Sequence, residues 1–253
     1  MDVRDQAVIV TGGASGLGGA TSRALAGAGA KVTIVDVNRA AAEAVAHEIG
    51  GGAQICDVAD AEAAERAFAA ARAAHGPARV LVNCAGIGTA GRIVGKEGPL
   101  ALGAYERVIR VNLIGTFNML RLAAAEMSAA APMADGERGV IINTASVAAY
   151  EGQVGQAAYA SSKAGVVGLT LPAARELARF GVRVVTIAPG LFMTPMMASL
   201  PEEIQKSLGD SVPYPPRLGQ PEEYAALALH IVANRMLNGE TIRLDGALRM
   251  APR

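Results

Sequence analysis

The chain is poor in the residues that build metal and redox centres. It has two cysteines, Cys56 and Cys84, in no Cys-x-x-Cys pattern, and three histidines, His47, His75 and His230, lying far apart. Zinc and thiol redox chemistry are therefore not expected, no metal is predicted, and both cysteines read as buried reduced thiols. Charge of one sign is also missing: Lys plus Arg and Asp plus Glu number 23 each, with no basic block. Nothing predicts a nucleic-acid groove or attraction to an anionic membrane surface. There is no proline- or serine-rich linker, internal repeat or low-complexity tract, so residues 1–253 read as one domain. The start Met1-Asp2-Val3-Arg4 lacks the basic and apolar blocks of a signal peptide, and a cytoplasmic location is the expectation. The longest uncharged run, residues 184–201, reaches membrane length, but Pro189, Gly190 and Pro195 would break a spanning helix. It reads instead as a strand followed by a loop.

What the chain does have is a rhythm. Short apolar runs at 7–11, 31–35, 53–56, 80–83, 140–144, 182–187 and 240–243 alternate with helical patterns at 17–28, 39–49, 61–75, 105–128, 157–179 and 222–234. Such alternation predicts an α/β fold: a doubly wound, Rossmann-like parallel sheet of about seven strands with helices on both faces. Ligands bind such sheets outside the carboxyl ends of the strands. Two stretches break the rhythm. Pro172 falls inside a helical pattern, where it removes a hydrogen bond at a cost of about 3 kcal/mol, so a kink is expected there. Residues 88–102 form a connection longer than usual, suited to a substrate-side or interface loop.

The chemistry concentrates at Tyr159-Ala160-Ser161-Ser162-Lys163. Residues four apart share a helix face, which brings the lysine ammonium under the phenol. A phenol ordinarily titrates near pH 10. A cation about 5 Å away would favour the phenolate by about 3 kcal/mol, before any cost of desolvation. Alone, Tyr-x-x-x-Lys also arises by chance on exposed helices. It has company in the first apolar run, which leads into Gly12-Gly13-Ala14-Ser15-Gly16-Leu17-Gly18 and a helix. A strand, glycine turn and helix let backbone N–H groups and the positive helix end approach a pyrophosphate, although a glycine-rich loop can also merely turn. The second run ends in Asp36, twenty residues after Gly16, an offset suited to holding an adenosine ribose.

The turn Thr11-Gly12-x-x-x-Gly16-Leu17-Gly18, the segment Asn83-Cys84-Ala85-Gly86, then Asn112, Ser146 and Tyr159-x-x-x-Lys163 together resemble the short-chain dehydrogenase/reductase family, from about residue 5 to the C-terminus. The resemblance implies an NAD(P)-dependent enzyme with Asn112, Ser146, Tyr159 and Lys163 as catalytic residues. Tyr159 would be the general acid/base. Ser146 would hydrogen-bond the substrate oxygen, Lys163 would hold the nicotinamide ribose, and Asn112 would complete a proton relay through a water. Gly12, Ser15, Gly16, Leu17, Gly18, Asp36, Asp57, Val58, Cys84, Ala85 and Gly86 would surround the adenosine and phosphates, and Pro189, Phe192 and Thr194 the nicotinamide. For three of these the residues alone permit a plainer part: a turn cap for Ser146, a helix-kink hydrogen bond for Asn112, a helix N-cap for Asp57.

NAD is expected over NADP, because the Asp36 carboxylate would repel a 2′-phosphate. Arg39 is the complication, three residues on. A substrate lid is expected at about 190–215, with Met193, Met196, Met197 and Leu200 supplying apolar cover or simply core packing. The stretch from Gly152 through Gln156, Pro172, residues 188–192 and residues 237–247 resembles one branch of the family, the type II 3-hydroxyacyl-CoA dehydrogenases. That implies a small-molecule acyl-CoA substrate, with Ser146, Gln156 and Tyr159 at its oxygen; a hydroxysteroid or other small secondary alcohol is the alternative. It also implies a homotetramer. A sugar-nucleotide epimerase would need a larger C-terminal region than this chain holds, and a nonenzymatic cofactor-bound regulator is a further alternative.

Overall fold

In a computed structural model, which describes residues 1–252 and for Met196 the backbone alone, the chain forms a seven-stranded parallel sheet. Its strands are β1 (Ala7–Thr11), β2 (Lys31–Asp36), β3 (Gly52–Ile55), β4 (Val80–Asn83), β7 (Gly139–Thr144), β8 (Val182–Pro189) and β9 (Thr241–Leu244), in the order β3-β2-β1-β4-β7-β8-β9. Chain order reverses between β1 and β4, where a doubly wound sheet opens its ligand crevice. A separate hairpin, β5 (Val94–Gly95) with β6 (Gly98–Pro99), occupies the predicted excursion. Its two-residue strands gave no apolar run to read.

Alternation along each strand divides the core. Val8, Val10, Val80, Val82, Val140 and Ile142 point to the face covered by α1 (Gly16–Gly27), α2 (Arg39–Ile49) and α9 (Pro221–Ala233). Ile9, Leu81 and Ile141 point to the opposite face, under α3 (Ala61–His75), α5 (Thr116–Ala129) and α6 (Ala157–Leu177). Burial on both sides explains why the strands read as continuous apolar runs. The helix ends follow local chemistry. Asp60 caps α3 by accepting from Ala63 N–H at 3.0 Å, Asn38 caps α2, and Gly181 ends the turn after α6 at φ 71°.

The predicted helix at 105–128 begins earlier and changes winding: α4 (Leu102–Ile109) passes through a π-helical turn, Arg110–Gly115, into α5. This run is long and apolar enough to cross a membrane by composition alone, but half of its most apolar window is buried within the fold. Pro172 does not end α6, which runs through it without interruption. The expected lid region contains two helices, α7 (Pro195–Ala198) and α8 (Glu202–Asp210).

Candidate active site

A cleft of about 830 Å³ lies over the carboxyl ends of the central strands. Apart from Asn112, every predicted cofactor, substrate and catalytic residue lines it, from Gly12 in the first turn to Thr194 beside the lid.

One end is made of backbone. Gly12 has φ 62° and Gly16 φ 52°, conformations that favour glycine. A Cβ on Gly12 would meet Ala85 N at 2.8 Å, and one on Gly18 would meet Gly12 O at 2.2 Å. The turn therefore packs against the loop after β4 with no room for side chains. Helix α1 opens from this turn with no acidic residue in its first turn and no side-chain cap from Ser15, so its N-terminal N–H groups are free for an anion. Asp36, at the end of β2, accepts from Ala14 N–H at 3.2 Å and Asn38 N–H at 2.9 Å, which fixes its carboxylate beside the turn. Asp57 is exposed in the cleft, and Asp60, not Asp57, is the N-cap of α3. These residues fit the adenosine and pyrophosphate of a dinucleotide.

The other end is made of side chains. Lys163 Nζ is 5.8 Å from the centre of the Tyr159 ring, as the i, i+4 spacing requires. It donates to the carbonyl of Thr144 at 2.7 Å. Ser146 Oγ accepts from Ala148 N–H at 3.1 Å, leaving its own proton to donate elsewhere. The turn-cap part and the cleft position of Ser146 thus coexist. Gln156 stands at the start of α6, its amide oxygen accepting from Gln153 N–H at 3.1 Å.

The expected acidification of Tyr159 is corrected. Burial pushes its phenol up, opposed only by the hydroxyl of Ser146. Burial also pushes the Lys163 ammonium down to about 8, partly opposed by Cys84. The low-dielectric setting that would strengthen the cation's pull also weakens its hold on its proton, so it loses its charge before the phenol ionises.

Asn112 lies beneath the cleft, fully buried in the π-helical turn. Its Oδ1 accepts from Ile87 N–H at 2.8 Å, and its Nδ2 donates to Ile87 O at 2.9 Å and Ser162 Oγ at 3.0 Å. Both ends of the amide are committed, so the side chain clamps the strand-end loop to α6. The absence of a Cβ on Gly86 keeps the gap between this amide and Lys163 open.

Behind Lys163 runs a chain of buried hydroxyls. Thr144 Oγ1 lies 2.6 Å from Asn83 O and 2.7 Å from the hydroxyl of Tyr224, a fully buried residue of α9. The carbonyl can only accept, so Thr144 donates to Asn83 and Tyr224 donates to Thr144. Cys84 Sγ completes the series, donating to the Tyr224 oxygen at 3.7 Å.

Phe192 packs its ring against Gly219, where a Cβ would lie 2.8 Å away, and is only 8% exposed. Of the lid methionines, Met197 lines the cleft and Met193 a separate groove beside α8, while the Met196 side chain lies outside the described residues. Among the described residues no cluster of His, Cys, Asp or Glu could hold a metal ion.

Sequence reasoning missed several parts of the wall. Arg107 and Val111 are spaced i, i+4 just before Asn112, a readable helical signal. Thr89 and Ala90 were not named singly, but they come from the excursion read as a substrate-side or interface loop, which Gly91 N–H ties to Gly155 O at 2.8 Å. Met250 arrives because the chain end folds back, with Met250 N–H on Glu151 and Val154 N–H on Pro252 O. No local pattern announces that return.

Residues 6–205 match the family model described as short chain dehydrogenase. The chain is 51% identical over 254 residues to a human 3-hydroxyacyl-CoA dehydrogenase type-2, covering 99% of this chain and 97% of that protein. It is 49% identical to the protein of that name from Drosophila melanogaster, covering 99% and 100% respectively. A crystal structure of 3-hydroxyacyl-CoA dehydrogenase type-2 from Mycobacterium avium superposes with a TM-score of 0.95 at 43% identity, covering 98% of each chain.

Proposed function

The chain belongs to the short chain dehydrogenase family and is an oxidoreductase, and from that premise we propose that it interconverts short 3-hydroxyacyl-CoA and 3-ketoacyl-CoA with NAD. The observation that carries the proposal is the meeting of Tyr159, Ser146 and Lys163 at one end of a cleft whose other end is a glycine cradle for a dinucleotide. The relatives' common name supplies the acyl-CoA.

Bound NAD would accept the hydride from the substrate carbon. The chain's own residues then have separable tasks. Tyr159 gives its proton to the carbonyl oxygen during reduction and takes it back during oxidation. Ser146 donates to the same oxygen, its lone pair already held by Ala148 N–H. Lys163 spends one of its three protons on Thr144 O and has two left for ribose hydroxyls and solvent. Asn112 holds the loop that shapes the floor. A phenol pushed up by burial is protonated at neutral pH and ready for reduction, so oxidation should accelerate as pH rises.

Asp36 selects NAD by accepting from the ribose hydroxyls and repelling a 2′-phosphate. The neighbouring Arg39 pairs with Glu43 at 3.1 Å. A kcat/KM with NADP equal to that with NAD would overturn the assignment. For assembly we propose a homotetramer. Ile114 and Phe117 on the α4–α5 run and Leu171 on α6 are exposed apolar side chains beyond those covering the sheet. A monomer by light scattering at micromolar concentration would exclude it. The deciding experiment compares kcat/KM for acetoacetyl-CoA plus NADH with steroid and small ketones. Preference for the thioester is the expected result, and no acyl-CoA turnover would transfer the reading to a hydroxysteroid or simple alcohol.

A further inference from the structure

An acyl-CoA and a dinucleotide in one cleft present two separate sets of phosphates, and one glycine turn can cradle only one of them. The free N–H groups at the start of α1 stand beside Asp36, at the adenosine end. A second polyphosphate needs cations elsewhere on the wall.

Among the described residues three cationic side chains line the cleft: Lys163, Arg107 and Arg110. Lys163 is buried and bound to Thr144. Arg107 and Arg110 are exposed, lie i, i+3 on adjoining turns at the junction of α4 and the π-helical turn, and have no ion-pair or hydrogen-bond partner among the described residues. This sets them apart from exposed arginines such as Arg23, Arg217 and Arg235, each held by a carboxylate. Glu106, one residue from Arg107 and four from Arg110, forms no salt bridge with either.

Their place on the wall is fixed by neighbours. Val111 and Asn112 follow them directly, and Asn112 grips Ile87. From Ile87 the wall continues through Thr89 and Ala90 to Gly91, bound to Gly155 just before Gln156. Asn112, two residues beyond Arg110, thus ties the helical run that carries the arginines to the segment leading to the Tyr159 end. A guanidinium offers a planar fork of donors matched to phosphate oxygens, and two of them one turn apart suit a group with several phosphates.

We propose that Arg107 and Arg110 bind the phosphates of coenzyme A when the thioester occupies the cleft. The proposal rests on the acyl-CoA reading above. It makes the pair a substrate-affinity site with no part in the proton or hydride steps.

The test uses the full-length protein with Arg107→Gln, Arg110→Gln and the double variant, each checked for an unchanged melting curve. KM for acetoacetyl-CoA should rise about threefold in either single variant and about tenfold in the double, with kcat little changed, as expected for exposed charge pairs. KM for NADH and for acetoacetyl-pantetheine, which lacks the nucleotide phosphates, should stay within twofold. Calorimetry with coenzyme A itself, in the presence of NAD, should show the same tenfold loss without any turnover. An unchanged KM for acetoacetyl-CoA overturns the proposal, and so does an equal rise in KM for NADH, which would assign the arginines to the dinucleotide. If wild-type protein turns over acetoacetyl-pantetheine while the variants behave as wild type, this site is wrong and the acyl-CoA reading stands. If wild-type protein turns over neither thioester, both fall together.

Discussion

The two ends of the cleft are built from different materials. At the adenosine end the working surface is main chain, and side chains matter mainly where they must be absent, as at Gly12 and Gly18. At the Tyr159 end the working groups are side chains, held by a buried scaffold of Asn112, Thr144 and Tyr224. A surface made of peptide groups is harmed by added atoms. One made of functional groups is harmed by removed atoms.

Substitutions at each end should therefore separate affinity from turnover. The largest expected effect is Tyr159→Phe, which removes one transferable proton. It should lower kcat by about a hundredfold or more while leaving the dissociation constant for NAD within about twofold. Stopped-flow turnover beside fluorescence titration of NADH reads both, and retention of a tenth of wild-type kcat would break the division. Gly18→Ala should show the reverse. Its methyl group would meet Gly12 O at 2.2 Å, so the turn must shift, with about tenfold weaker NAD binding and about 1–3 kcal/mol lost stability by denaturant titration.

The smallest effect sharpens the comparison through pH. Lys163 is pushed down to about 8 in the folded protein, against an ordinary value of 10.5. Between those values the unfolded chain binds more protons at this position than the folded one, so stability contributed here rises with pH. Raising the pH from 8 to 9 should stabilise wild-type protein by about 1 kcal/mol relative to Lys163→Met. Urea midpoints at the two pH values measure it, and parallel changes in both proteins would place the ammonium in a far wetter setting than the structure gives it.

The sequence disclosed the two ends unequally. The sheet was legible because strands buried on both faces read as apolar runs, and β1 and β4 carry the boundaries expected of them. The cradle was legible because steric need at a turn forces glycine at fixed intervals. Tyr159 and Lys163 were legible because helical spacing is local. Less accessible was everything that depends on long-range return. Met250 reaches the wall because its N–H donates to Glu151 and Pro252 O accepts from Val154 N–H, about a hundred residues earlier in the chain. The Tyr159 phenol illustrates a different limit. Spacing gave the distance to the ammonium, but burial set the direction of both shifts, and burial belongs to the assembled molecule. Asn112 was legible as a candidate position, whereas its engagement with Ile87 depends on a π-helical turn that no propensity foretells.

The hydroxyl chain behind Lys163 has a bearing on how defects in this protein would be recognised. Tyr224 belongs to α9, which covers one face of the sheet, and Lys163 to α6, which covers the other; Thr144 is where they meet. A lesion in α9 that left the protein folded could still slacken the Thr144 carbonyl that holds Lys163. In a screen of variants, such a change would sit on the back of the molecule, outside any map drawn around the cleft, yet it would score with the active-site mutants.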